Sequence, residues 1–171
     1  LTNRAISFAQ YFGKWVPGLM SIIYLVQKTD AYRYRRLPRP TLPQDITFGH
    51  LSLDHVNIVN EIWPHKYRTS KWYFELIIKA KHGYGLFLKD ELICWVLISE
   101  SGTLLHLYTL KEYRRKGYAE TLLKLVSNIL LKEKRDVLAF CIADNVNAIK
   151  MYTKAGFANE EGAGWCYIQS Y

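Results

Sequence analysis

The amino-acid sequence predicts a domain of the mixed α/β (α+β) class, with helices packed on a sheet. Short apolar runs suited to strands alternate along the chain with amphipathic helical patterns. Apolar runs on both sides of Lys89-Asp90 are typical of a hairpin. The clearest helix is one face of a 3.6-residue period, made by Ala119, Leu122, Leu123, Val126, Ile129 and Leu130. A chain of 171 residues is about one domain, or one domain with part of a neighbour.

The remaining elements follow from local signals in the order of the chain. The apolar runs predict strands at Ile46–Leu51, Tyr84–Leu88, Leu92–Ile98, Leu104–Leu110, Val137–Ile142 and Trp165–Ser170. Ser52 and Ser70 are candidate N-caps of two helices, and Pro64 ends the first. A short helix then carries Tyr152 on its inner stripe and ends at Gly156, where a left-handed cap belongs.

The composition indicates a folded protein with an anionic partner. Lys and Arg number 23 against 15 Asp and Glu, a net charge of +8, and aromatic residues make up 15% of the chain. A basic surface favours nucleic acid, a membrane surface or a phosphorylated small molecule. The three cysteines form no C-x-x-C pair, which excludes a zinc ribbon or a thioredoxin-type redox site. We expect an intracellular location, cytoplasmic or mitochondrial.

The N-terminal quarter differs in character from the rest of the chain. Residues Tyr32 to Pro43 read YRYRRLPRPTLP, which predicts a linker because proline favours extended backbone. The apolar run from Trp15 to Val26 is too short for a membrane span and is interpreted as a packing element. The predicted organisation is an N-terminal remnant and linker over residues 1–43 and a compact domain over 44–171. Because the chain begins at Leu1 rather than Met, we expect a fragment or a processed product.

The segment from Leu104 to Leu123 is the most informative stretch for function. It runs from a strand through a basic turn and a single glycine into a helix. The first amides of a helix lack intrahelical partners and carry partial positive charge, so they form an anion site. Arg114, Arg115 and Lys116 add charge, and Gly117 lets a ligand approach the backbone closely. The alternative is an ordinary basic surface turn. No G-x-x-x-x-G-K-[ST] motif occurs, which excludes a P-loop NTPase.

Two motifs in this order resemble the GCN5-related N-acetyltransferase (GNAT) superfamily. Arg114-x-x-Gly117-x-Ala119 is similar to its acetyl-CoA motif, R/Q-x-x-G-x-G/A. The stretch from Asn145 to Phe157 is similar to its second signature, N-x-x-A-x-x-[LM]-Y-x-x-x-G-F. The segment from Phe87 to Ala119 further resembles the C-terminal acyltransferase domain of glycine N-acyltransferase-like proteins. The resemblance implies a mostly antiparallel sheet with helices on both faces and a splayed central strand pair.

The resemblance also implies where an acyl-CoA cosubstrate, acetyl-CoA or a larger acyl-CoA, is held. Its pantetheine arm would contact the main chain of Leu107, Tyr108 and Thr109. Its diphosphate would lie on the turn formed by Arg114, Arg115, Lys116, Gly117, Tyr118 and Ala119. Asn145 matches a position that contacts the cofactor near the thioester, and its alternative role is that of a helix cap.

Two residues are candidates for the chemistry itself. By resemblance, the Tyr152 phenol protonates the departing thiolate, and the alternative is a packing tyrosine. Some ribosomal-protein acetyltransferases place a glutamate base where this chain has Phe140, so that assignment fails here. His106 has a suitable pKa for a base and is the candidate instead, against the alternative of a core or surface histidine. Glu100 with a relayed water is a further alternative.

These features favour an acyl-CoA-dependent N-acyltransferase that acts on a small amine or amino acid by direct attack. A second hypothesis is a non-catalytic protein of the same fold that binds CoA or another partner, because the base is not assigned by a motif. A third hypothesis, nucleic-acid binding, rests on charge alone, and no RRM, KH or zinc-finger pattern occurs. We expect no specific nucleic acid, no membrane and no metal as partner.

Overall fold

The computed structural model describes residues 19–24, 36–142 and 144–164. The strands within these ranges form one sheet in the order β2-β3-β4-β5-β6-β1-β7. The strands are β1 (Leu19–Tyr24), β2 (Ile46–His50), β3 (Gly83–Leu88), β4 (Glu91–Ile98), β5 (Thr103–Thr109), β6 (Leu138–Ile142) and β7 (Ala158–Gly164). Only β5 and β6 pair in parallel among them, so the sheet is mixed and mostly antiparallel.

Helices cover both faces of this sheet. They are α1 (Val56–Ile62), α2 (Ser70–Lys79), α3 (Tyr118–Lys132) and α4 (Val146–Lys154). One apolar core joins α1 and α2 to alternate residues of β4 such as Trp95 and Leu97. A second core joins α3 and α4 to the opposite face, which includes Val96 and Leu104. The alternation of side chains along a strand therefore supplies both cores from the same strands. No helix among the described residues has both the length and the apolar character needed to span a bilayer.

Most of the predicted elements after residue 43 are confirmed, and differences lie at the C-terminal end of the described residues and at the start of α2. The predicted strand Trp165–Ser170 lies outside the described residues. The structure instead has β7, whose sequence ANEEGAG carries no strand pattern and which pairs with β1. Ser70 is the first residue of α2 rather than its cap, which is Thr69.

The N-terminal segments contact the domain at two places. The apolar run interpreted as a packing element supplies β1, which lies between β6 and β7. Part of the predicted linker lies against α3, where the main chain of Leu37 and the side-chain amide of Asn128 exchange hydrogen bonds of 2.7 and 3.0 Å. The division of the chain at residue 43 stays a prediction.

The two parallel strands separate after a short paired stretch. They pair through Thr103 with Leu138 and through Leu104 with Ala139, and the described register ends there. On its other edge, β5 has one residue more than β4 between the Trp95 and Leu97 pairs, which is a bulge. His106 lies in this bulge with a φ of 51°. The predicted sheet with helices on both faces and a splayed central strand pair is thus confirmed.

Candidate active site

The turn between β5 and α3 presents unpaired main-chain amides. It passes through one turn of 3-10 helix, Lys111–Tyr113, and then adopts left-handed conformations at Arg115 (φ 64°) and Gly117 (φ 81°). Gly117 is the N-cap of α3, and no side chain caps this end of the helix. The first amides of α3 therefore point to a site where an anion is favoured by both hydrogen bonding and the helix dipole. A Cβ at Gly117 would meet nothing within 4 Å, so this side of the turn is open.

The basic side chains of the turn do not all lie beside these amides. Arg114 Nε donates to the carbonyl oxygen of Thr109 at 3.0 Å, and its guanidinium lies 5.0 Å from the centre of the Tyr108 ring. The side chain of Arg114 is thus held at the end of β5 in this structure. Lys116 Nζ lies 5.4 Å from the ring of Tyr113. Arg115 is exposed.

The residues predicted to contact pantetheine follow the unpaired part of β5. Leu107 packs against the core on the α3 and α4 face, and Tyr108 packs against the core on the α1 and α2 face. The Thr109 hydroxyl donates to Cys94 Sγ at 3.1 Å. Burial raises the pKa of Cys94 to about 12, so this thiol stays protonated and is not a nucleophile. The main chain of β5 that faces β6 is the part left for a ligand.

The junction of β6 and α4 lies on the other side of the gap that opens between β5 and β6. Asn145 Oδ1 accepts a hydrogen bond from the Ala148 amide at 3.1 Å, so the capping role is observed. Ile142 and Val146 flank it with half of their surface exposed, 50% and 54%. Sequence reasoning missed both because each fits an ordinary apolar position in its own element. Only the splay of the strands shows that they border an open edge.

Tyr152 lies on the α3 and α4 face of the sheet. Its side chain is buried and packs edge-on against Phe157, with ring centroids 5.3 Å apart. Burial, and to a smaller extent the neighbouring Cys141, raise the pKa of the Tyr152 phenol. The phenol is therefore neutral over the physiological range and can donate a proton but not accept one.

His106 lies on the other face, within a group of aromatic rings. Its ring centroid is 4.6 Å from that of Trp63, 5.7 Å from those of Phe74 and Trp95, and 6.2 Å from that of Tyr108. The bulge interrupts the alternation of side chains along β5, so the consecutive residues Leu105 and His106 both point to the α1 and α2 face. Burial lowers the pKa of His106 to about 3, so the imidazole is neutral and far less basic than its ordinary pKa led us to expect.

Three buried polar atoms in this group lack a partner. Both ring nitrogens of His106 and Nε1 of Trp95 form no hydrogen bond within the described part of the chain, where Ser127 Oγ is the one other buried atom in that state. Buried polar groups are nearly always hydrogen-bonded, so three unpaired polar atoms within one group of side chains call for an explanation.

Glu100 lies at the edge of the same face. Its Oε2 accepts a hydrogen bond of 2.6 Å from the Tyr73 hydroxyl, and Tyr73 packs against Phe74, which in turn packs against His106. No direct contact between Glu100 and His106 is among the interactions described. Glu100 is thus connected to the His106 ring through Tyr73 and Phe74, and His106 itself lies in the bulge of β5.

The two candidate catalytic residues thus lie on opposite faces of the sheet, and the splayed strands separate them. Tyr152 belongs to the core on the α3 and α4 face, and His106 packs with the aromatic residues of the other core. A thioester held between β5 and β6 would meet an acceptor from one face and a proton donor from the other.

Comparison with known proteins shows what the chain is similar to. Residues 83–166 match the family model described as FR47-like protein. No curated protein matches the chain. The matched segment includes β5, the basic turn, α3 and α4, which are the elements that carry the site.

Solved structures show the same fold over a larger part of the chain. An X-ray structure of a Drosophila protein has a TM-score of 0.75 at 18% identity, covering 88% of this chain and 50% of its own. A GCN5-related N-acetyltransferase from Sphaerobacter thermophilus has a TM-score of 0.66 at 18% identity, covering 85% and 50%. Arabidopsis thaliana Naa50, in complex with the bisubstrate analogue CoA-Ac-MVNAL, has a TM-score of 0.52 at 21% identity, covering 67% and 83%.

The chain has the GNAT fold, which confirms the superfamily resemblance at the level of the fold. It spans about half the length of the Drosophila and Sphaerobacter proteins. The narrower resemblance to glycine N-acyltransferase-like proteins stays a prediction.

Proposed function

We propose that this protein is an acyl-CoA-dependent N-acyltransferase that transfers an acetyl or larger acyl group to a small amine or amino acid. The observation that carries the proposal is the uncapped start of α3 beside the unpaired edge of β5. An anion site and an open strand edge in this relation suit a ligand that joins a diphosphate to an extended amide-containing arm. Coenzyme A has both parts.

We assign the binding residues to the turn before α3, the unpaired edge of β5 and the start of α4. The amides of residues 115–119 would receive the diphosphate, and Arg115 would supply charge. The main chain of Leu107, Tyr108 and Thr109 would bond the pantetheine amides as a neighbouring strand does. The exposed side chains of Ile142 and Val146 would pack on the arm from the other side. Asn145 lies between them, and we assign it a contact to the cofactor in addition to its observed capping role.

The reaction proceeds by direct attack. The acceptor nitrogen attacks the thioester carbonyl carbon, a C–N bond forms, and His106 receives the proton that the nitrogen loses. The tetrahedral intermediate collapses with cleavage of the C–S bond, and Tyr152 gives its proton to the departing sulfur. Burial disfavours the charged forms of both the phenol and the thiol, so the proton transfer between them stays close to balanced. No covalent enzyme intermediate is needed, which agrees with the protonated state of Cys94.

The first experiment measures ligand binding and turnover separately. We expect CoA and acetyl-CoA to raise the melting temperature at micromolar concentration. Acetyl-CoA and longer acyl-CoA thioesters are then incubated with pooled amines and amino acids while free thiol is measured. Tyr152→Phe should reduce kcat at least about tenfold with little change in CoA affinity, because only the transferable proton is removed. Indifference of the melting temperature to both ligands would refute the proposal.

A second candidate is a CoA-binding protein without transferase activity. It is favoured by Phe140 at the position of the glutamate base and by the covered, weakly basic state of His106. Thermal stabilisation by CoA with no thiol release across a broad amine panel would select this candidate over the enzyme.

A further inference from the structure

Three exposed apolar side chains lie on the outer side of the α1 and α2 layer and have no role in the proposed reaction. They are Leu53, Trp72 and Leu76, with 48%, 61% and 44% of their surface exposed. The other large apolar side chains that are exposed among the described residues, Ile142 and Val146, border the splay between β5 and β6. Apolar side chains scattered singly over a surface are ordinary, whereas a group of them indicates an interaction site.

Trp72 and Leu76 form a ridge along the outer face of α2. They are four residues apart, so their side chains are neighbours on one face of the helix. Phe74 and Ile77 lie on the other face and are buried in the core beneath α2. Leu53 lies beside the ridge, because it lines an open hollow together with two side chains of α2. We call Leu53, Trp72 and Leu76 the α2 ridge.

Positive charge lies at both ends of the α2 ridge. Four cations occur between residues 68 and 81, where Glu75 is the one carboxylate. The cations are Arg68, Lys71, Lys79 and Lys81, and all four side chains are exposed. Glu75 pairs with Lys79 at 3.1 Å, which leaves three positive charges in excess. Over residues 53–81, which also include Asp54 and the Glu61–Lys66 pair, five cations still stand against three carboxylates.

The shape and charge of the α2 ridge distinguish between the partners that it would fit. A second copy of this chain would bring equivalent cations together across a two-fold axis, which their repulsion disfavours. A helical peptide docks in an apolar groove, whereas Trp72 projects from the surface. The hollow beside it is lined mostly by polar or charged side chains, namely Asn57, Lys71 and Glu75 with Leu53 and Val56. An anionic bilayer suits both features, because tryptophan favours the headgroup level and lysine is attracted to negatively charged lipids.

We propose that the α2 ridge docks on the surface of an anionic lipid bilayer. Trp72 and Leu76 enter the headgroup region, Leu53 lies at its edge, and the flanking cations contact the lipid headgroups. The helix lies along the surface and does not cross the bilayer. The turn before α3 belongs to the opposite layer of the sheet, so docking and CoA binding are separate properties. The sequence led us to expect no membrane partner, because the exposure of Trp72 is a property of the tertiary structure.

Co-sedimentation with lipid vesicles measures the docking. Vesicles of phosphatidylcholine alone are compared with vesicles of phosphatidylcholine and phosphatidylserine in equal parts. We expect the wild type to sediment with the anionic vesicles only and to be released by salt. Trp72→Ala should weaken this binding at least about tenfold, the loss expected when a large apolar side chain is no longer buried. Trp72→Phe should retain most of it.

Matched variants on the opposite layer control for the loss of an exposed apolar side chain or of a charge. Val146→Ala removes an apolar side chain of similar exposure, 54%, from α4 and should bind vesicles as the wild type does. Lys71→Gln should weaken vesicle binding about fivefold, the expected contribution of one cation near an anionic surface. Lys150→Gln, which removes an exposed cation of α4, should have a smaller effect.

Quenching of fluorescence by brominated lipid locates the indole. The chain has five tryptophans, so the difference in quenching between the wild type and Trp72→Phe reports Trp72. We expect most of the quenching to disappear in Trp72→Phe although this variant still sediments with the vesicles. Calorimetry with CoA should give the same affinity for Trp72→Ala as for the wild type.

Four results would overturn the proposal. The first is a wild type that does not sediment with anionic vesicles or that binds both kinds of vesicle equally. The second is equal vesicle binding by Trp72→Ala and Val146→Ala, and the third is equal quenching in the wild type and Trp72→Phe. The fourth is a dimer in lipid-free ultracentrifugation that Trp72→Ala dissociates, which would assign the α2 ridge to a second copy. Each of these results leaves the proposed function untouched, because that function is decided by CoA binding and thiol release.

Discussion

Replacement of Gly117 by alanine distinguishes an effect on anion binding from an effect on the stability of the turn. Gly117 adopts a φ of 81°, where a side chain with a Cβ costs roughly 1–2 kcal/mol. The new methyl group meets nothing within 4 Å, so no steric cost is added. We therefore expect a loss of about 1 kcal/mol in the free energy of unfolding, or roughly 2–4 °C in melting temperature for a chain of this size.

The effect on CoA binding should be much larger. Under the proposed function, the open space that the methyl group would enter is where the diphosphate would approach the amides of α3. Loss of one hydrogen bond to a charged group costs about 1.5–3 kcal/mol, which corresponds to a roughly ten- to hundredfold higher Kd. Isothermal titration calorimetry with CoA measures the affinity, and urea unfolding measures the stability of the same preparation.

Gly102 provides the matched control. It lies in the turn between β4 and β5 with a φ of 83°, almost the same conformation as Gly117. A Cβ there would meet the Arg135 side chain at 3.1 Å, which a flexible side chain can accommodate. Gly102→Ala should lose stability similarly and keep the wild-type CoA affinity. Equal CoA affinities of Gly117→Ala and Gly102→Ala would refute the placement of the diphosphate.

Three further substitutions test other parts of the site. Asn145→Ala should cost about 1 kcal/mol of stability because the hydrogen bond that caps the Ala148 amide is lost, and Asn145→Ser should keep that cap. A direct contact of Asn145 with the cofactor requires that CoA affinity, measured by calorimetry, falls in both variants. A fall in Asn145→Ala alone would mean that only the cap matters. His106→Leu tests whether burial holds the imidazole neutral. Because the folded-state pKa lies below the unfolded one, the stability of the wild type should fall as the pH drops below about 6.5. Urea unfolding from pH 7 to pH 4 should show a smaller loss of stability in the variant. Arg114→Met should weaken CoA binding about tenfold and Arg114→Lys less, whereas unchanged calorimetric affinity would limit Arg114 to its bond with Thr109.

Local patterns were sufficient for much of the fold and for part of the site. The amphipathic period of α3, the hairpin of β3 and β4, and Gly117 at the start of a helix depend on neighbours a few residues apart. Such features follow from backbone sterics and side-chain periodicity, which the sequence carries directly. The resemblance to the GNAT superfamily added the order of the elements, and the fold agrees with it.

Other features arise only from contacts between distant residues. The bulge at His106 is set by the register of β5 against β4, and it turns two consecutive side chains to one face. Trp63, more than 40 residues earlier in the chain, lies on His106 because α1 packs against that face. The same holds for Arg114, which folds back over Tyr108, and for β1, which lies between β6 and β7.

The sequence by itself thus determined which residues could bind an anion and which could exchange a proton. The tertiary structure decided that Tyr152 and His106 lie on opposite faces of one sheet and that an indole covers the histidine. The reason is physical: helix caps and periodicity are properties of adjacent residues, whereas strand register, burial and the pKa that burial sets depend on which distant segments pack together.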